Sequence, residues 1–416
     1  MSQSSLKNFF WGASTSSHQV EGGNNNQWTQ WELHNSKRLA RGSKRKLSKF
    51  KNWEDIKDRA QNPENYISGK GVDHYNLYKK DFDIAKQLNI NCLRFSIEWS
   101  RIEPKQGEWD QKEIEHYLDY IVEMKERGIT PFLNIWHWTV PIWFSELGGF
   151  EKKQNIKYFD RFVKKIAHEL INDIDYVLIL NETNVYTTYS YLTKQWPPAG
   201  RSLLKAIKVN LNLVRAHKIA YSDLKQVKPS IQVGIAHNMS LNLTTRMSNP
   251  ISEITAKIAD KFWNWWFLDK VTTEIDFVGI NYYQTQYVSS FKMSDPIEPV
   301  NDLGWYMNPS GIYDLSKKVW DRYAKPIIIS ENGVADEKDI FRKWWIEETV
   351  KSIRRLKEED VEIFGYFHWS LLDNFEWAYG WWPKFGLISV DRSDMSRNVR
   401  KSAYTYSDII KSETSK

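Results

Sequence analysis

Eight times along this chain a short apolar run breaks off into residues that can do chemistry. Residues 9–14 form the first run, and 91–96 carry Arg94. Residues 130–136 lead into His137, and 176–180 into Asn181 and Glu182. Residues 231–236 lead into His237 and Asn238, and 277–280 into Asn281, Tyr282 and Tyr283. Residues 326–330 lead into Glu331, and 363–367 into His368 and Trp369. Each run is strand-length and rich in β-branched and aromatic residues. Helical spacing of apolar residues fills several gaps, over 111–127 with Gly128 as a C-cap, and over 158–170 and 203–225. Strands that alternate with helices imply parallel pairing. Eight such units with polar chemistry at the strand ends predict one α/β domain over residues 1–416, a (β/α)8 TIM barrel with long βα-loop insertions at 19–73 and 284–310. The alternative is an open doubly wound sheet, but no Gly-rich phosphate turn follows the first strand.

Composition narrows the ligand. The chain has 21 Trp, 21 Tyr and 19 Phe, 15% of its residues. Flat apolar faces with polar edges suit sugars, which alternate C–H and hydroxyl surfaces; an aromatic core accounts for the same count. The net charge of +6 is local: Lys37, Arg38, Arg41, Lys44, Arg45, Lys46, Lys49 and Lys51 fall within 37–51, where there is no acid. This segment reads as a solvated surface insertion, because a nucleic-acid enzyme spreads basic charge over several loops. No nucleic acid is expected as a partner. Mean hydropathy is −0.60, and no apolar run approaches the roughly 20 residues of a membrane span. Residues 1–8 lack a basic-then-apolar leader, and Cys92 is the sole cysteine, so no intrachain disulfide can form and a cytoplasmic location is expected. There is no cysteine cluster or His-x-His ligand set, so neither a metal nor another cofactor is expected.

Two carboxylates directly follow apolar runs, Glu182 and Glu331. Burying a carboxylate at a strand end is costly unless it is paired, so each is either a structural ion-pair partner, Arg94 being one candidate, or chemistry. Two on one barrel face point to paired-carboxylate catalysis, of which glycoside hydrolysis is the clearest case. A metal-dependent hydrolase on the same barrel would need clustered ligands. A non-catalytic sugar-binding barrel would not need both acids intact.

Five blocks, in order, resemble the family 1 glycoside hydrolases, the β-glucosidase and β-glycosidase family. They are residues 11–22 (WGASTSSHQVEG), 94–102 (RFSIEWSRI), Asn181-Glu182, Glu331-Asn332-Gly333 and 369–377 (WSLLDNFEW). The resemblance covers nearly the whole chain. It implies a retaining β-glycosidase with Glu331 as nucleophile and Glu182 as acid/base. Arg94 and Tyr283 would support the nucleophile, and Asn181 would bind the sugar 2-hydroxyl. Gln19, His137, Trp369, Glu376 and Trp377 would hold the rest of the sugar, Glu376 as an ionised acceptor and Trp369 as the floor. Relatives that take 6-phosphosugars lack this glutamate and carry a lysine and a tyrosine seven and nine positions on; here those positions are Pro383 and Phe385, with Lys384 out of register. An unphosphorylated β-glycoside is therefore expected. Thr183 stands where the family has proline, which frees the backbone after the acid/base.

Overall fold

The computed structural model describes residues 9–244, 250–289, 292–293 and 298–415. The N-terminal residues 1–8, on which the reading of a leader rests, lie outside them. All eight runs are strands: β1 (Phe10–Ser14), β2 (Cys92–Ser96), β3 (Thr130–Trp136), β4 (Tyr176–Asn181), β5 (Gln232–Thr244), β6 (Phe277–Ser289), β7 (Ile327–Asn332) and β8 (Ile363–Trp369). They pair in parallel in the order β5-β4-β3-β2-β1-β8-β7-β6, and β5 pairs with β6 to close the barrel. The expected helices span Gln111–Glu126, Ile156–Glu169 and Leu203–Val227. Gly128, at φ +74°, follows the first of these, a conformation that costs glycine least. β5 and β6 outrun their sequence patterns because they go on pairing beyond the barrel, from Leu241 with Thr285 to Thr244 with Val288.

Alternation along the strands decides what fills the barrel. Cys92, Phe132, Leu178, Ala236, Phe277, Ile328 and Phe367 form one buried cluster inside it. The intervening Leu93, Leu133, Ile135, Val177 and Ile179 join the larger core that includes the helices. Removing a ring such as Phe132 would cost about 3–5 kcal/mol, because so enclosed a site cannot collapse around the gap. Two residues further along, on the same face, β2 and β3 present Arg94 and Asn134, so the interior turns polar toward the strand C-termini. There the register breaks. β4 slips against β5 between Leu178 and Asn181, β7 against β6 next to Asn281, and β7 against β8 between Ile329 and Asn332. A one-residue slip reverses which side chains face inward. The slips thus fall where Asn181 and Glu331 enter the site.

The insertion at 19–73 is largely helical, with helices Gln27–Leu47 and Trp53–Ala60. The Asn26 side chain caps the first by accepting from the Thr29 N–H. Its last turn carries Lys44, Arg45 and Lys46, where cations complement the helix dipole. The basic segment is therefore mostly helix, and its eight cations are exposed, as expected of a solvated surface insertion.

Candidate active site

A cavity of about 770 Å³ opens at the C-terminal end of the barrel. Its lining includes Gln19, His137, Glu182, Tyr283, Glu331, Trp369, Glu376 and Trp377. Arg94 and Asn181 lie fully buried behind this wall. The structure thus gathers all ten sequence-predicted residues at one end of the barrel, eight on the wall and two beneath it.

Glu331, in β7, is held from two sides. The Arg94 Nη1 donates to its Oε1, and the Tyr283 hydroxyl donates to its Oε2 at 2.5 Å. The second guanidinium nitrogen of Arg94 donates to Asn181 Oδ1 at 2.7 Å, which also receives Asn281 Nδ2 at 3.1 Å. The backbone around the strand end has no slack. A Cβ on Gly333 would stand 1.8 Å from the carbonyl oxygen of Trp369, so only glycine lets β7 and β8 approach so closely.

Glu182 lies in a different environment. Its Oε1 receives two amide donors, Asn238 Nδ2 at 3.0 Å and Asn281 Nδ2 at 2.9 Å. Burial, and next the charge of Glu331, push its pKa up to about 8 against these lowering contacts. Its backbone is fixed at φ +43°. The Glu182 N–H donates to the Ala236 carbonyl at 2.8 Å, and its own carbonyl receives the Tyr186 N–H at 3.0 Å. Thr183 is buried and opens the helix Thr183–Thr187. The looser backbone expected from the missing proline is therefore not found, because backbone hydrogen bonds on both sides do the fixing.

Around the carboxylates, Asn181 Nδ2 donates to His137 Nε2 at 3.2 Å. That places the imidazole proton on Nδ1, which is buried without a partner among the described residues. Burial, and then the charges of Arg94 and His18, hold the His137 pKa well below its usual value, so the ring is neutral. Its plane lies nearly parallel to Trp369 and Trp377, each with its centroid 6.0 Å away. Gln19 is less free than its expected role implies. Its amide nitrogen donates to Asn374 Oδ1 at 2.9 Å and to the Phe375 carbonyl at 2.8 Å, and its oxygen accepts from Ser16 Oγ at 2.7 Å. Only a remaining oxygen lone pair is left for a ligand hydroxyl.

Glu376 departs from expectation. Burial, followed by the charges of Glu331 and Glu182, raises its pKa to about 8. At neutral pH it is thus mostly a neutral acid, not the ionised acceptor expected. Phe385 lines the cavity, whereas Lys384 does not. Among the described residues no group of three or more His, Cys, Asp or Glu could hold a metal ion, and no helix is long and apolar enough to cross a membrane.

Sequence reasoning missed two groups of residues. Asn238 and Asn281 end apolar runs, as Glu182 does, and that shared position was the available signal. The other group is basic. Arg38, Arg45, Lys46 and Lys49 line the outer cavity, together with Lys194 and Arg201. The basic segment, read from the sequence as a solvated surface insertion, therefore also borders the cavity.

A closed parallel barrel whose C-terminal cavity combines two glutamates with aromatic faces and side-chain amides fits a barrel glycosidase. The match to the glycosyl hydrolase family 1 model, over residues 1–274 and 269–415, is more specific: the chain belongs to that family. It is 28% identical to β-glucosidase A of Acetivibrio thermocellus, over 97% of this chain and 98% of that protein. It is 27% identical to a β-galactosidase of Sulfolobus acidocaldarius, over 86% and 88%. Among solved structures, a β-glycosidase from Pyrococcus horikoshii superposes with a TM-score of 0.86 at 34% identity, covering 98% of this chain and 96% of its own. The protein is a β-glycosidase of this family.

Proposed function

We propose that the protein is a retaining β-glucosidase, one catalytic unit over residues 1–416, working in the cytoplasm on terminal, unphosphorylated β-D-glucosyl residues. The observation that carries this reading is the contrast between the two carboxyls. Glu331 sits between a guanidinium and a phenol, while burial and its neighbour's charge push Glu182 up to about 8.

In the first step a Glu331 oxygen attacks the anomeric carbon as the bond to the leaving oxygen breaks, and Glu182 gives that oxygen its proton. Esterification removes the charge of Glu331, so the repulsion that raised the pKa of Glu182 falls away and the released carboxylate can act as a base. In the second step Glu182 takes a proton from water, the water oxygen bonds to the anomeric carbon, and the ester bond breaks. Two inversions leave the β-configuration. The free second N–H of the Asn181 amide suits the 2-hydroxyl, and Nδ1–H of His137 suits another ring hydroxyl. Trp369 offers its face to the C–H side of the ring, and the Trp377 indole N–H suits a hydroxyl. Glu376 provides hydroxyl contacts that a phosphate would disrupt, and Phe385 supplies no donor for one.

The test is a nitrophenyl β-glucoside hydrolysed with the anomer followed by NMR. β-Glucose should appear first, and kcat/KM should exceed that for the 6-phosphate by at least roughly a hundredfold, a discrimination of about 3 kcal/mol. Glu331→Gly should abolish hydrolysis, and azide should then yield the α-glucosyl azide. Sugar binding without hydrolysis by the native protein would favour a non-catalytic barrel. Preference for the phosphate ester would overturn the substrate class.

A further inference from the structure

The cavity has two ends of opposite character. Its inner end holds three acids, the buried Glu182 and Glu331 and the half-buried Glu376. Its exposed end carries six cations, Arg38, Arg45, Lys46, Lys49, Lys194 and Arg201. None of the six pairs with a carboxylate among the described residues, whereas Lys51, just beyond, pairs with Glu298. They come from two separate insertions, one after β1 and one after β4, and they converge on one opening. The Gln27–Leu47 helix and the turns after it divide their basic residues. Arg38, Arg45, Lys46 and Lys49 face the cavity, while Lys37, Arg41 and Lys44 line a separate outer depression. Helix-dipole compensation accounts for cations in the last turn but not for Arg38, Lys194 or Arg201. Crowding is felt locally, since desolvation and then Arg38 and Arg45 lower the pKa of Lys46.

We propose that this rim selects β-glycosides whose aglycone carries an oxyanion, a carboxylate or phosphate placed beyond the leaving oxygen. The inference rests on the glycosidase reading, which puts the sugar at the buried end and so leaves the aglycone to the rim. A cavity that repelled anions throughout would exclude such substrates. Here the acids are confined to the sugar end, and an aglycone anion meets like-charged neighbours only if it is drawn past the cations.

The experiment compares 4-(2-carboxyethyl)phenyl β-D-glucoside with its methyl ester, whose leaving phenols are matched because the charge is insulated by two carbons. A phosphomonoester analogue forms the third arm. At low ionic strength kcat/KM for either anion should exceed that for the ester by roughly tenfold, carried in KM, and the preference should shrink toward parity at about 0.5 M salt. Substituting Arg45, Lys46 and Lys49 with Gln should bring the ratio near one. The matched triple Lys37→Gln, Arg41→Gln, Lys44→Gln removes equal charge from the outer face and should leave the ratio as in the parent. Circular dichroism melts report folding, and the single Arg45→Gln and Lys46→Gln variants replace any triple that does not fold. Inorganic phosphate at a few millimolar should inhibit the anionic substrate more than the ester; equal inhibition of both would mean an anion site unconnected with the aglycone. A ratio of one or less in the parent, or an equal fall in both triples, overturns the proposal. Failure to hydrolyse even the ester would instead overturn the glycosidase reading.

Discussion

Glu182 and Glu376 are both pushed up to about 8, yet the proposed reaction asks different things of them. Glu182 must arrive protonated and leave as a base. Its raised pKa predicts that kcat/KM stays level to neutral pH and falls as pH rises through about 8, where the acid is lost. Replacing Glu182 with Gln should erase that alkaline limb for substrates whose phenol is acidic enough to leave unprotonated, and should cost poor leaving groups at least roughly a hundredfold more than good ones. A uniform loss across leaving groups would remove Glu182 from the acid/base role. Under the proposed reading Glu376 would meet the sugar as a neutral acid that can donate as well as accept. Asn238 and Asn281 share the task of orienting Glu182, so truncating either to Ala should lower kcat more than KM, read by steady-state kinetics.

At the scale of elements, the strands were legible because apolar runs of the right length are a local property, and all eight appear where the runs lie. The ends of β4 and β7 were not legible in the same way. Alternation from Leu178 would turn Leu180 inward, and only the slip against β5 brings Asn181 into the site instead. Register is a relation between strands, and a single strand's sequence does not contain it. The helix Gln27–Leu47 shows the same limit: its charge was plain in the sequence, but its direction across the cavity depends on packing with residues far along the chain. The glycine after β7 gives a prediction at this scale. Gly333→Ala would force a methyl to within 1.8 Å of the Trp369 carbonyl, so β7 and β8 must part. Expected outcomes are a melting temperature lower by several degrees and, in the folded fraction, at least a roughly hundredfold loss of kcat as Glu331 shifts. Native turnover in this variant would mean that the strand end adjusts more freely than its packing implies.

For the whole molecule, buried ionisable groups bound the pH range of stability. Glu182 and Glu376 keep their protons in the fold to about 8, while the unfolded chain releases them near 4.5. Their contribution is full below 4.5 and is lost as pH rises toward 8. His217 and His237, buried with pKa values lowered to about 4, act in the opposite sense: the unfolded chain takes up protons near 6.5, so stability falls below that value. Thermal melts should therefore peak between these limits. Glu376→Gln should raise the melting temperature at pH 8.5 and leave it unchanged at pH 4.5; a shift of equal size at both would mean that charge burial is not the cause. The contrast between Gly333, wedged against Trp369, and a rim carried on one inserted helix and the loops around it also bears on how such a protein can diverge. Beside Glu331 a side chain at Gly333 must be matched by a change across the strand boundary, so drift there is constrained. On the rim a lysine can change alone, and descendants of this chain can exchange the molecules they cut without relearning how to cut.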